Sequence, residues 1–377
     1  MKFADIPGAD FIKDKLIKSI GSGKIPHAQL FLGNEGALNL PLALAYTTFL
    51  HCENRQDTDA CGVCGPCSKS VKYIHPDTNF VFPVGNMGAD KDEERVKADR
   101  LKTFRSFLLE QPFGNLDDWT SFYGGEDKQV LISKDESREI IKSLSLKPFE
   151  SRYKIMLVWQ PEYLHSSAAN GLLKILEEPP PFTIFLLVSN KAEKLLATIL
   201  SRTQLIKVPM LADEELSVFL TEKKKVELQK AKKIVHLAEG NLNHALKLID
   251  TEDEQSSEWF FNWMGACFQH RYDKLLLTSE EFHQLDRLSQ RNLLYFSLSL
   301  VRETLLRLAG AGTINRVQGN DMERLQKLSA LLTVEKIERI QFLINEAIFH
   351  LERNGSAKMI LFDSSIQLAK VINPSKP

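Results

Sequence analysis

Up to Pro209, short apolar runs alternate with helical patterns; beyond it no strand-like run recurs. The runs lie at 29–33, 79–84, 129–132, 154–159, 183–189 and 204–208. Most are β-branched or aromatic and lack clean alternation, as strands buried on both faces do. The helical segments between them predict a parallel sheet. One crossover helix is well marked: Ser166 or Ser167 can cap it, Ala168, Ala169, Leu172, Leu173 and Leu176 follow, and Pro179-Pro180-Pro181 stops it. The fold class is therefore α/β over the first part of the chain.

Residues 211–250 read as a small helical unit, with Asp213 as a cap and Gly240 as a break. The polar stretch TEDEQSS, 251–257, reads as a linker. From there the pattern is helical to the end. Ile340, Leu343, Ile344, Ala347, Ile348 and Leu351 share one helix face, and 293–308 is apolar nearly all round. The expected division is an α/β core over 1–209, a helical unit over 210–250 and a separate all-α domain over 251–377, in keeping with a 377-residue length. Residues 85–128 interrupt the core. Their GADKDEERVKADR segment is charged and poor in apolar residues, which predicts a mobile loop entering a helix near Ala98.

Charge narrows the function classes. Forty-eight Lys and Arg against 49 Asp and Glu give a net charge of -1. A free-standing polyanion binder is usually basic, so any nucleic-acid contact is expected to be local or shared with partners. A 43% hydrophobic and 26% charged composition excludes a mainly disordered chain. No uncharged stretch reaches the roughly 18 residues of a membrane span. The opening MKFADIPGADFIKDK has no apolar signal core and carries acids that a transit peptide avoids, so the expectation is a cytoplasmic protein without membrane contact.

Cys52, Cys61, Cys64 and Cys67 have the spacing C-x8-C-x2-C-x2-C. Two intervening residues let a pair of thiolates face one ion across a tight turn, and Gly62 and Gly65 give the turn its freedom. Four thiolates close a tetrahedral shell with no position for water, which points to a structural zinc site at 52–67. Free thiols in a loop and an iron–sulfur cluster are the alternatives. The iron–sulfur reading lacks the next cysteine of a C-x3-C-P run.

Gly33-Asn34-Glu35-Gly36 follows a strand and precedes a helical run, the setting of a phosphate-binding loop. Against G-x-x-G-x-G-K-[ST], Gly33 and Gly36 fit, but Leu38 replaces the next glycine. Asn39 stands for the lysine and Leu40 for the metal-binding hydroxyl. The β- and γ-phosphates thereby lose their cation and the magnesium a ligand. The second carboxylate motif is also changed, with Trp159 and Gln160 closing the strand where Asp-Glu would stand. Each loop alone could be an ordinary connection. Together and in order, they look like a disabled nucleotide site.

HAQLFLGNEG, HPDTNFVFPV, ISKDESREIIKSLSLKPFESRYKIMLV, SSAANGLLKILEEPPPFTIFLLVSN and LSRTQLIKV, in that order, resemble the clamp-loader AAA+ proteins. They are most similar to the delta-prime subunits of bacterial DNA polymerase III. The similarity covers about residues 1–250 and extends loosely to RNGSAKMIL. It implies an AAA+ P-loop-type sheet domain, a helical lid and a helical collar through which five subunits form a ring. It also implies loading of a sliding clamp onto primed DNA, with gamma/tau motor and delta subunits as partners. Active relatives receive an arginine finger from a neighbour. The matching motif is Ser201-Arg202-Thr203, with Thr203 where relatives usually have Cys. Ser201 would support the turn, and Arg202 could stabilise charge at a neighbour's γ-phosphate. In the lid, Asn243 takes the place of a phosphate-sensing arginine.

The resemblance therefore implies a subunit that binds no ATP itself. The rival is a self-standing DNA-dependent AAA+ ATPase with an atypical loop, and a third reading is a zinc-bearing nucleic-acid module. Among other residues, the lysines between Lys223 and Lys233 read as a solvated face, Glu177 and Glu178 as solvated or near an interface, Asp77 as a turn residue and Cys267 as a buried thiol.

Overall fold

The computed structural model describes residues 1–21, 23–85, 93–125, 130–133, 147–249, 253–310, 320–352 and 355–373. The chain falls into two compact units, Met1–Ala231 with Ala238–Lys247 and Lys232–Leu237 with Leu248–Pro377.

The first unit is built on a parallel sheet of β1 (Ala28–Leu32), β2 (Thr78–Val81), β5 (Lys154–Trp159), β6 (Thr183–Ser189) and β7 (Gln204–Lys207), in the order β2-β5-β6-β1-β7. Every residue of β5 and β6 is buried, which is why their sequences run apolar without alternation. Met156, Val158, Phe185, Leu187 and Leu30 form the layer against which Leu172 and Leu176 of helix Ser166–Glu177 pack. That helix runs as the sequence predicts.

Two expectations are corrected here. The run at 129–132 does not join the parallel sheet: β4 (Val130–Leu131) pairs antiparallel with β3 (Val84–Gly85) in a separate ribbon. Leu131 is 40% exposed, too open for a central strand. Residue 129 lies outside the described residues. The interruption at 85–128 does enter a helix near Ala98, as expected, but it holds a second helix and buried aromatic residues that the charged stretch did not suggest. Residues 86–92 and 126–129 lie outside the described residues, but 93–125 hold helices Glu93–Glu110 and Leu116–Phe122. Phe104, Phe107, Leu108 and Trp119 from these helices are buried to within 1%.

Beyond β7, helices Asp213–Val218, Leu228–Ala238 and Leu242–Leu248 follow. The first is capped by Ala212, whose backbone N–H donates to Glu215 Oε2 at 3.0 Å; Asp213 is its first helical residue and not the cap. Gly240 ends the second at φ +80°, where a side chain would strike the Leu211 carbonyl oxygen.

The second unit is helical throughout its described residues. The polar stretch expected as a linker is largely absorbed into helix Asp253–Phe268, and residues 251 and 252 lie outside the described residues. Acids at the start of a helix face the positive end of its dipole, so a polar, acidic stretch suits a first turn as well as a loop. Helix Val334–Glu352 buries the expected face, with Ile337, Ile340, Ile344 and Ala347 at 1% exposure or less. Cys267 lies fully buried with its Sγ 3.6 Å from the Ser365 carbonyl oxygen, and burial pushes its thiol up to about 12.

Candidate functional site

The loop 33–38 joins β1 to helix Asn39–His51 at the C-terminal edge of the sheet, the edge where open parallel sheets place ligands. Its glycines are required. A Cβ on Gly33 would lie 2.7 Å from the Val208 carbonyl oxygen, and one on Gly36, at φ +86°, would lie 2.1 Å from Asn241. The loop thus has a tight backbone, and the Asn241 side chain occupies the approach to Gly36.

Asn39 faces inward. Its side-chain amide donates to the Ser189 carbonyl oxygen at 2.9 Å, its Oδ1 accepts from the Leu40 N–H at 3.0 Å, and the residue is 4% exposed. A lysine here would project a charge; Asn39 spends both ends on the fold. Leu40 is 3% exposed and is part of a helix buried at all its positions.

Trp159 closes β5 at 2% exposure, in an aromatic cluster with Phe104 and Phe107, whose ring centroids are 5.6 and 6.1 Å away. Where magnesium chemistry needs a carboxylate, the chain has a hydrophobic contact with its own interrupting segment. Gln160 has φ +57° and donates to Asn190 Oδ1; Asn190 in turn donates to the Gly33 carbonyl oxygen at 3.1 Å. Glu162 follows, its carboxyl pushed up by burial against the N–H groups of Asn190 and Lys191.

Asn243 donates to Asp118 Oδ2 at 2.6 Å, and Lys247, one helical turn on, donates to Asp118 Oδ1. Neither Lys247 nor Asp118 stood out in the sequence. The i, i+4 spacing from Asn243 was the available signal, but the partner lies 125 residues away.

Arg202 sits between the short helix Ala197–Leu200 and β7. Its side chain is one-third exposed, and its guanidinium pairs with Glu177 Oε1 at 2.5 Å and donates to the Thr198 carbonyl oxygen and to Ser201 Oγ. Ser201 Oγ donates to the Thr198 carbonyl oxygen at 3.1 Å and so braces the turn, while Thr203 Oγ1 donates to the Ile199 carbonyl oxygen. Glu177 comes from the end of helix Ser166–Glu177, so the two most recognisable sequence segments meet at one ion pair.

Cys52, Cys61, Cys64 and Cys67 place their sulfurs within 4.8 Å of one another, with Cys61 and Cys67 at 4.0 Å. A tetrahedral zinc with bonds of about 2.3 Å needs sulfur separations of about 3.8 Å, so the set fits. The Cys61 thiol is pulled down to about 6 by the N–H groups of Val63 and Cys64, whereas burial pushes Cys52 and Cys67 up. A bound dication would overcome that resistance. Next to it, His51 stacks on His75 with centroids 3.8 Å apart, and Asp77 accepts the N–H groups of Phe149, Glu150 and Ser151, which makes it the turn residue expected.

The lysines of the basic run are described as exposed at Lys223, Lys224, Lys225, Lys232 and Lys233. Among the described residues, no helix is long and apolar enough to cross a membrane.

Residues 8–212 match the family described as DNA polymerase III, delta subunit. DNA polymerase III subunit gamma of Buchnera aphidicola subsp. Acyrthosiphon pisum is 26% identical over 253 residues, covering 66% of this chain and 58% of that protein. DNA polymerase III subunit tau of Escherichia coli K12 is 26% identical over 253 residues, covering 66% of this chain and 32% of that protein. The chain therefore spans less than two thirds of the length of these curated relatives. A crystal structure of a DNA polymerase III gamma subunit-related protein from Thermotoga maritima aligns at a TM-score of 0.42 and 17% identity, over 95% of this chain and 98% of that one.

Proposed function

The chain belongs to the DNA polymerase III delta-subunit family, and from that premise we propose that it is a non-hydrolysing, delta-prime-type subunit of a clamp loader. In this reading the sheet domain and the helices of 210–250 are an AAA+ core and lid, and the helices of 251–377 are a collar that assembles with gamma/tau motor and delta subunits. The complex loads a sliding clamp onto primed DNA during replication, in the cytoplasm. Arg202 reaches the ATP of a neighbouring motor subunit, and the four cysteines hold one structural zinc.

The observation that carries the reading is Asn39. At the position that would supply a phosphate cation, the side chain is buried and tied to Ser189 at 2.9 Å, so it has no positive charge to offer a triphosphate. A guanidinium one-third exposed on Ser201-Arg202-Thr203, by contrast, can fork onto phosphate oxygens across an interface. The rival, a self-standing ATPase, requires Asn39 and Trp159 to leave their packed positions.

Two measurements test this. In the reconstituted complex, Arg202→Ala should leave assembly intact and lower clamp-stimulated ATP turnover by about 10³-fold or more if one finger serves the rate-limiting site; unchanged turnover removes the finger role. Calorimetric titration of the purified chain with MgATP should show no binding at submillimolar concentration. Turnover by the chain alone, abolished by changes in loop 33–38, would favour the rival.

A further inference from the structure

In a working nucleotide site the phosphates join two parts of the protein, the loop that cradles them and the lid that senses them. This chain makes the same join without a ligand. Helix Leu116–Phe122, from the segment that interrupts the sheet domain, carries Asn115 at its cap and Asp118 in its first turn. Asn115 donates to Glu35 Oε1 of the loop at 2.6 Å. The Asp118 carboxylate accepts from Asn243 at 2.6 Å, from Lys247 and from the Asn115 N–H at 2.9 Å. Asn241, which caps the same lid helix by accepting the His244 N–H, points its amide at the Glu35 carbonyl oxygen and closes over Gly36.

We propose that Asp118 is a tethered anion that fastens the lid to the core, taking the part that a nucleotide phosphate takes in an active site. Its carboxylate is 9% exposed, faces one cation and one amide from the lid, and leaves neither oxygen without a donor. It is held in place by a packed support. Trp119, its neighbour, is 1% exposed, donates Nε1–H to the Pro83 carbonyl oxygen at 2.8 Å, and packs edge-on against Phe82 and Phe104. Phe113 adds an edge contact to Phe219, at the end of helix Asp213–Val218. The part of the interruption described at 93–125 thus has a role: it delivers an internal ligand. Only the comparison with phosphate rests on the loop being a disabled nucleotide site; the fastening itself rests on the contacts.

Amide hydrogen exchange of the full-length chain tests it. Asp118→Ala and Lys247→Met should each speed exchange of the 242–248 amides by about tenfold or more, while the β5 and β6 amides stay protected. The double variant should be no faster than Asp118→Ala alone, and Lys247→Arg, which keeps the cation, should retain the protection that Lys247→Met loses, which a purely steric role would not require. Unchanged exchange in Asp118→Ala, a double variant faster than Asp118→Ala, or equal loss in Lys247→Arg and Lys247→Met would each overturn the proposal. If Asp118→Ala does not fold, Asp118→Asn, which keeps the volume and loses the charge, serves in its place with the same outcomes. MgATP added to the wild-type chain should not change these rates. If it does, the reading that this chain binds no nucleotide fails while the effect of Asp118 stands on its own measurements.

Discussion

At the scale of single residues, Arg202 is held by a carboxylate from its own chain. Glu177 is half exposed, so the ion pair is worth no more than about 1 kcal/mol. Glu177→Gln should therefore leave folding unchanged and raise the complex's ATP turnover at most about fivefold, by removing an anion that competes with phosphate for the guanidinium. The effect should vanish in an Arg202→Ala background. A rise that persists there would place Glu177 elsewhere in the cycle.

Asp77 makes the opposite case, a buried charge with full compensation. Burial alone would raise its carboxyl, but three backbone N–H donors and the nearby His75 hold it below the usual range. Burial also pushes His75 down, against the pull of Glu150 and Asp77. A depressed histidine favours the neutral form, so its contribution is complete above about pH 6.5 and declines as the pH falls, by up to about 1.4 kcal/mol per unit. The depressed carboxylate contributes above about pH 3.9 and is lost as the pH falls through its folded value. Denaturant titrations from pH 7 to 3 should show stability falling from about pH 6.5, since His75 and the stacked His51, which burial pushes down to about 3, both resist protonation. Asp77→Asn should make the further fall below about pH 3.9 shallower while costing about 3 kcal/mol at pH 7.

At the scale of elements, the metal loop and the aromatic cluster give the clearest tests. About one zinc per chain should be found by mass spectrometry, and Cys64→Ser or chelation should lower the melting temperature; iron, or no metal in gently purified protein, would contradict this. Trp159→Asp would restore the carboxylate that the motif lacks. Because the position is enclosed by Phe104 and Phe107, it should destabilise by about 3 kcal/mol or more and give no ATPase activity.

The strands that were legible in sequence are those whose burial is continuous. KIMLVW and TIFLLVS are enclosed along their whole length, so apolar content alone located them. The 129–132 run failed because two of its residues look like a strand without sharing that burial. The helix expected near Ala98 is there, in Glu93–Glu110, but the charge around its start hid the apolar set Phe104, Phe107 and Leu108, which stand at i, i+3 and i+4. Asn39, Leu40, Trp159 and Asn243 could be singled out in the sequence as departures from a nucleotide-binding pattern. The contacts that Asn115 and Asp118 make with loop 33–38 and with Asn243 could not, because only tertiary packing brings them together.

At the scale of the whole molecule, the described residues include one hydrophobic core around Leu30, Met156 and Phe185 and another around Trp263, Leu294 and Ile344. Each has its own set of buried contacts and can lose them separately. Scanning calorimetry should therefore give a calorimetric enthalpy larger than the van't Hoff value, where a single cooperative body would make them equal. The asymmetry of the chain also appears at this scale. The residues that would serve its own nucleotide are turned into the fold, while Arg202 remains at the surface.

Helix Asn39–His51 has one more consequence. It is buried at all thirteen positions, begins where loop 33–38 ends and leads directly into Cys52. An overpacked or polar replacement along it should therefore be felt at both ends, by the four sulfurs and by the glycine turn, because a fully enclosed helix has no solvent face into which it can shift.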